Sequence, residues 1–222
     1  MFSEATTKLE LARYFLDNLK ALAAGVGGLA YIKKEELLER RANLDGFFFE
    51  IVSAKDFFLQ RINDRYEVGL PKNQATTKLT ELKRRLEEKD TNASKVVGRI
   101  QRLLSRKNSW LWTLNNYRNS ATHRELIHLQ HSVLITPEMV GRNMFEKIRR
   151  REVYTRPILE GEEIAGGAVR LDIPIGNVKT YLLRDPEDPS QGHADMEVIR
   201  HCEQSLERMR NYLEELYSKL SI

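Results

Sequence analysis

Apolar side chains recur every three or four residues through much of this chain, the spacing that places them on one face of an α-helix. Near the start, Leu9, Ala12, Phe15 or Leu16, Leu19 and Leu22 make such a face behind Ser3 and Glu4, which suit a helix N-terminus. Gly25, Gly27 and Gly28 then end it in a helix–helix turn, since they lack the spacing and the preceding strand of a phosphate loop. A long helical stretch follows from about Lys33 to Tyr66. In its second half Phe48, Ile51 or Val52, Lys55, Phe58 or Leu59, Ile62 and Tyr66 keep helical spacing. Asp45-Gly46 reads as a break, with Asp45 capping the later part. Phe47, Phe48 and Phe49 cover more than one face, so at least one ring is expected against another helix or a second subunit. Core packing is the simpler account of them.

Pro71 and Asn73 mark a loop, after which Thr76 or Thr77 can cap a short helix with Leu79, Leu82 and Leu86 inside. Asp90-Thr91-Asn92 interrupts it. A further helix to about Lys107 turns Val96 or Val97, Ile100 and Leu103 or Leu104 inward, and an aromatic helix around Trp110 and Trp112 comes next. Beyond His128 the pattern changes. Ser132 to Thr136 is short and β-branched, and Thr136-Pro137-Glu138 starts a helix that ends in Arg149-Arg150-Arg151. Val169, Leu171, Ile173 and Ile175 then alternate with polar residues or proline, and Gly176-Asn177 leads into Val178 to Arg184. That is a hairpin pattern, with Pro174 placing the first strand at an edge and Asp185 to Pro189 as the following loop. The last helix is the most regular. Ile199, Cys202, Leu206, Met209, Leu213, Leu216 and Leu220 step by threes and fours, a seam for another helix in the same bundle or in a partner chain.

The expected fold is therefore mainly α: an antiparallel helical bundle with a small antiparallel β-hairpin insertion before the C-terminal helix. Residues 1–130 form the helical core, 131–190 the insertion with a short helix and the hairpin, and 191–222 the helix packing back on the bundle.

Composition narrows the chemistry only slightly. The 222 residues, 41% apolar and 31% charged, suit one folded, helix-rich domain with an insertion. A net charge of +4 is compatible with a nucleic-acid partner without requiring one. A lone cysteine, Cys202, rules out an internal disulfide and any cysteine-based zinc cluster; within the seam it counts as a small apolar residue. Glu50 and Asp56 do not make an obvious acid pair, and no cofactor or metal site is expected. The longest apolar run, Ala21 to Ile32, is too short to span a bilayer and lies too far in for a signal peptide, which points to a cytoplasmic protein without membrane contact. His201 receives no role.

The stretch with the most chemical content is Arg118-Asn119-Ser120-Ala121-Thr122-His123, directly after the aromatic helix. Histidine titrates near neutrality and can move a proton to or from a sugar oxygen. A guanidinium holds a phosphate through two parallel hydrogen bonds. Five helical positions turn a side chain by about 140°. The two residues converge only if the helix ends or bends between them, or if two subunits pool their pairs. Spacing alone is weak evidence, because Arg124 and His131 make a second match; Asn119 and the apolar helix before it set the first apart. The bland alternative is a solvated Arg118 and a capping or core His123. Arg99, Arg102 and Arg106, at i, i+3 and i+7 on the preceding helix, form a basic stripe that with Arg124 could contact RNA or could simply be a solvated face.

An arginine, a polar residue and a histidine late in a helical bundle resemble the signature of the HEPN family, over roughly residues 1 to 130. The resemblance implies a metal-independent endoribonuclease of toxin or defence type, working as a homodimer with a composite site. It gives Arg118 the phosphate contact, Asn119 polar support and His123 the general acid/base role. It also implies an RNA substrate and a possible antitoxin or other protein partner. The insertion exceeds the family's usual compact core. Some relatives only bind, so a non-catalytic helical module for a protein or RNA partner stands as the alternative.

Overall fold

Helical periodicity becomes helix through most of the computed structural model, which describes residues 3–24, 34–71, 74–123, 129–133, 158–159, 178–182 and 198–220. The helices are α1 (Ser3–Ala24), α2 (Lys34–Arg65), α3 (Gln74–Thr77), α4 (Leu79–Glu87), α5 (Thr91–Ser105), α6 (Trp110–His123) and α7 (Val198–Leu220). Short strands are β1 (Leu129–Val133), β2 (Ile158–Leu159) and β3 (Val178–Leu182). The chain falls into two compact units: residues 1–16, 45–125 and 202–222 form one, and 17–44 with 126–201 the other. Among the described residues no helix is long and apolar enough to cross a membrane.

The first unit is a helical bundle. Leu9, Ala12 and Leu16 of α1 are buried as their spacing predicts. So are Ile51, Phe58 and Ile62 of α2, Leu82 and Leu86 of α4, and Val96, Val97 and Ile100 of α5. Phe47 and Phe48 lie fully inside, while Phe49 is left 45% exposed. Three consecutive helical residues span about 200° of the wheel, wider than one buried face.

The expected break at Asp45-Gly46 is absent, for α2 runs unbroken from Lys34 to Arg65. Gly46 serves packing instead: a Cβ there would meet ring carbons of Phe15 at 2.7 Å. Helical glycine costs about 1 kcal/mol relative to alanine, and the close approach of the Phe15 ring offsets that cost. Gly46→Ala is expected to destabilise by a net ~1–2 kcal/mol, overpacking exceeding the gain in propensity. A thermal melt checks the sign; unchanged or raised stability would mean the ring simply shifts aside.

Thr76 and Thr77 do not cap the Leu79 helix. They belong to the single turn α3, and α4 begins after Lys78 with no side-chain cap. The boundary at Asp90 is as expected, its carboxylate accepting from the Asn92 and Ala93 amides at 2.7 and 2.9 Å to cap α5. In α7 the seam residues from Cys202 to Leu220 are buried, and Tyr212 and Tyr217 widen the seam into a face. Tyr217 meets Phe58 edge-on at 4.7 Å, and Tyr212 meets Trp110 edge-on at 5.4 Å. The heptads are therefore covered within the chain and supply no surplus apolar surface for a second copy.

An ion pair also holds α7. Glu215 accepts from Arg99 at 2.5 Å and from Lys219 at 2.6 Å, and these two bonds hold its carboxyl down at about 2. A depressed carboxyl contributes stability that is present above its ordinary value of 4.5 and is lost as pH falls toward 2. The acid limb of a melting-temperature profile is therefore expected to flatten between those values in Glu215→Gln. An identical limb would remove this pair from the account.

In the second unit, residues 17–24 of α1 and 34–44 of α2 are joined by polar contacts. Asn18 donates to Asn43 at 3.1 Å and Arg40 to the Leu22 carbonyl at 2.8 Å. The strands order as β2-β1-β3, all antiparallel, with Leu129 opposite Leu182 and Val133 opposite Val178. The expected hairpin is not supported: among the described residues the partner of β3 is the distant β1. Residues 169–175 lie outside the described set, as do the glycine turn, the Pro137 helix and the 185–189 loop. The early strand is described over Leu129–Val133, which takes in the first two residues of the Ser132 to Thr136 stretch; the other three lie outside the described set. A partner far along the chain, invisible to local pattern, sets its register.

Candidate functional site

Helix α6 owes its position to its first two turns. The Ser109 hydroxyl receives the Trp112 amide at 3.2 Å and itself donates to the Leu103 carbonyl, tying the start of α6 to the end of α5. Leu111, Leu114 and Tyr117, three residues apart, are buried. Tyr117 stacks on Phe48 with centroids 4.8 Å apart and planes 22° from parallel. That stack locks the rotation of α6 against α2.

Arg118 follows Tyr117 and turns to α2, where its Nη1 donates to Asp56 Oδ2 at 2.6 Å. The other carboxylate oxygen, Oδ1, lies 2.8 Å from Lys55 Nζ. Lys55 is buried. Burial pushes its ammonium below the ordinary value, Asp56 opposes that fall, and Arg118 adds to it. The Arg118 and Asp56 side chains are 24% and 22% exposed, so they form the rim of the bundle above the buried lysine. Two cations share this carboxylate, which holds the Arg118 guanidinium in a fixed place.

Sequence reasoning singled out Arg118 and missed Asp56. One signal could have found it. Lys55 stands on the apolar seam of α2, a buried ammonium needs a carboxylate close by, and Asp56 is the next residue. Glu50 pairs elsewhere, with Lys8 at 2.7 Å, so it forms no acid pair with Asp56.

Asn119 is half-buried beside Arg118. His123 is the last residue of α6, and the helix is unbroken from 118 to 123. Positions 118 and 123 therefore differ by about 140° around the helix. A bend that would bring them together within one chain is absent. Arg124 lies outside the described residues, while His131, of the second spacing match, stands in β1. The three arginines of the basic stripe differ in setting. Arg99 is bound to Glu215 and lies 5.2 Å from the Tyr212 ring centroid, whereas Arg102 and Arg106 are exposed, Arg106 as the C-cap of α5. Among the described residues no group of three or more His, Cys, Asp or Glu could hold a metal ion.

Comparison with known proteins gives no relative: no family model, no curated protein and no solved structure matches this chain.

Proposed function

We propose that this chain is a HEPN-type, metal-independent endoribonuclease of toxin or defence type, acting in the cytoplasm as a homodimer that pools Arg118 and His123. One observation carries the reading. The Arg-Asn-x3-His stretch closes the late helix of a bundle, and its arginine is fixed at the rim by Asp56 at 2.6 Å. A guanidinium held in place spends little entropy in meeting a phosphate. The unbroken helix between positions 118 and 123 favours a pooled site over one built within a single chain. The net charge of +4 suits an RNA substrate.

In the proposed reaction His123 takes the proton of a ribose 2′-hydroxyl, and that oxygen attacks the adjacent phosphorus. The 5′-oxygen leaves with a proton. The products are a 2′,3′-cyclic phosphate and a 5′-hydroxyl, with Arg118 stabilising charge on the phosphoryl oxygens and Asn119 in polar support. An antitoxin or other protein partner would regulate such an enzyme. Purified protein incubated with RNA in EDTA tests the reading: cleavage with these end groups is the expected result, and intact RNA, or 3′-hydroxyl ends, would overturn it.

A second reading rests on the same ion pair. Arg118 already has a carboxylate partner in Asp56, which fits a non-catalytic helical module that binds a protein or RNA. Binding of RNA without cleavage would select it.

A further inference from the structure

Residues 91–123, which make α5, α6 and the turn between them, contain six lysines and arginines and no aspartate or glutamate. Their formal +6 exceeds the +4 of the whole chain, so the rest of the molecule is net acidic. Packing gathers part of this charge beside α7. Arg99 is bound to Glu215, and its guanidinium lies 5.2 Å from the Tyr212 ring centroid. Trp110 meets Tyr212 edge-on at 5.4 Å, and the Arg208 guanidinium stands over the Trp110 ring at 5.2 Å. One α7 tyrosine thus joins the arginine stripe of α5 to the indole at the start of α6. Arg102, Arg106 and Arg208 are exposed, and among the described residues none of them has an ion pair. The corner between α5 and α6 is fixed: the Ser109 amide donates to the Arg106 carbonyl at 3.0 Å, and Asn108 takes a left-handed φ of 63°.

We propose that this α5–α6 corner, with Arg102, Arg106 and Arg208 around Trp110, is a binding surface for single-stranded nucleic acid, separate from the Arg118 site. The charge selects a polyanion. Three cations without carboxylate partners can meet phosphates of one strand and gain by releasing its counterions. Cations at the C-terminus of a helix suit its dipole, but that leaves the missing carboxylates, and Arg208 on another helix, unexplained. The aromatic component selects a single strand. Unpaired bases stack on aromatic rings and on arginine guanidinium planes, whereas a duplex keeps those base faces to itself. The half-buried Trp110 and the guanidinium over it supply both kinds of platform. A lipid surface or an apolar protein partner calls for exposed apolar anchors. Among the described residues none of the exposed large apolar side chains lies on α5, α6 or α7. Arg118 stands eight residues beyond Trp110, about 12 Å along the helix axis, and turns to α2 instead of α7. As the place that grips a substrate strand, this corner rests on the ribonuclease proposed above; as a binding surface it stands without it.

Fluorescence anisotropy of the full chain with a labelled 2′-O-methyl oligoribonucleotide of about 20 nucleotides is the test. That strand has no free 2′-hydroxyl and stays intact whether or not the chain is a ribonuclease. Wild type is expected to bind it, with a slope of log affinity against log salt of about −2 for three phosphate contacts. Arg102→Glu combined with Arg208→Glu should weaken binding by at least about 10-fold and flatten that slope. Arg84→Glu, the same change of charge on an exposed arginine of α4, is the control and should bind as wild type. In Trp112→Phe, where Trp110 is the one remaining tryptophan, its emission should be quenched as the strand binds. Circular dichroism checks folding. Should the charge reversals fail to fold, Arg102→Gln and Arg208→Gln replace them, each expected to flatten the slope by about 0.7. No binding at about 50 µM protein in about 50 mM salt overturns the proposal. So does equal weakening by Arg84→Glu, an unchanged Trp110 emission, or tighter binding of the matching duplex. A chain that binds anionic vesicles or polyglutamate but no oligonucleotide overturns it too. A strand bound through this corner while unmodified RNA stays intact keeps the surface and removes the ribonuclease. Cleavage of unmodified RNA with binding indifferent to Arg102 and Arg208 does the reverse.

Discussion

His123→Ala is expected to lower RNA cleavage by about 10² to 10⁴-fold, the usual worth of a positioned proton-transfer group. Arg118→Ala should cost a comparable amount, since removing a donor that meets developing charge is worth about 2.7–4 kcal/mol of barrier. Both variants should melt close to wild type. When Arg118 is truncated, Asp56 keeps Lys55 at 2.8 Å, so the Asp56 carboxylate is not left without a cation. Asn119→Ala should be milder, because it supports and does not react. His128→Ala and His131→Ala are the controls and should stay active. An essential His131 with a dispensable His123 would move the site to the Arg124 match. Activity that survives all of these substitutions would remove the HEPN mechanism. Rates of cleavage of a labelled oligoribonucleotide, with matched melting curves, decide among these outcomes.

Asp56→Ala is expected to be the most destabilising substitution in the candidate site. It leaves the buried Lys55 ammonium without its carboxylate and near the like-charged Arg118. Breaking a buried pair by removing one partner costs about 3–5 kcal/mol. Loss of the Lys55 proton can relieve part of this, so the lower end is the better expectation. The pH dependence follows from sign. Burial lowers the Lys55 value in the folded state below its ordinary 10.5, so between the two values the unfolded chain binds more protons. Stability contributed by this group therefore rises with pH across that window, and it should rise more steeply in Asp56→Ala. Lys55→Met in the Asp56→Ala background should recover most of the loss. Urea unfolding of the two single variants and the double variant measures the coupling. A loss under about 1 kcal/mol in Asp56→Ala would show that water reaches Lys55 and that the cluster is not a buried one.

The parts of this fold that could be read from the sequence are those where each residue reports its own surroundings. In α1, α5 and α7 the period of three and four picks out Leu9, Val97 and Leu213 without knowledge of any other helix, and all three are buried. Where a residue answers to a distant partner, local pattern fails. Gly46 looks like a helix breaker until Phe15, thirty-one positions earlier, is seen against it. The strand at Val178–Leu182 takes β1 as its partner, and the nearby Gly176-Asn177 signal gave no hint of that. Phe47, Phe48 and Phe49 look equally apolar, yet the helix wheel admits two to the core and leaves the third outside.

The same distinction runs through the candidate site. Arg118, Asn119 and His123 were visible because they stand together in sequence. Asp56 was not, because its meeting with Arg118 depends on how α6 is rotated against α2, which the Tyr117–Phe48 stack decides. The α7 seam, which its spacing left open between the same bundle and a partner chain, is buried within the chain, and of the phenylalanine run Phe49 is left exposed.

In the proposed mechanism a ribose 2′-oxygen is the nucleophile, activated by His123 and set against a phosphate held by Arg118. The most direct measurement uses an oligoribonucleotide that the protein cuts at a mapped bond, resynthesised with a single 2′-deoxyribose immediately 5′ of that bond, in EDTA. The proposed mechanism predicts that cleavage there stops while neighbouring bonds remain sensitive. Continued cutting at the deoxy position would contradict it.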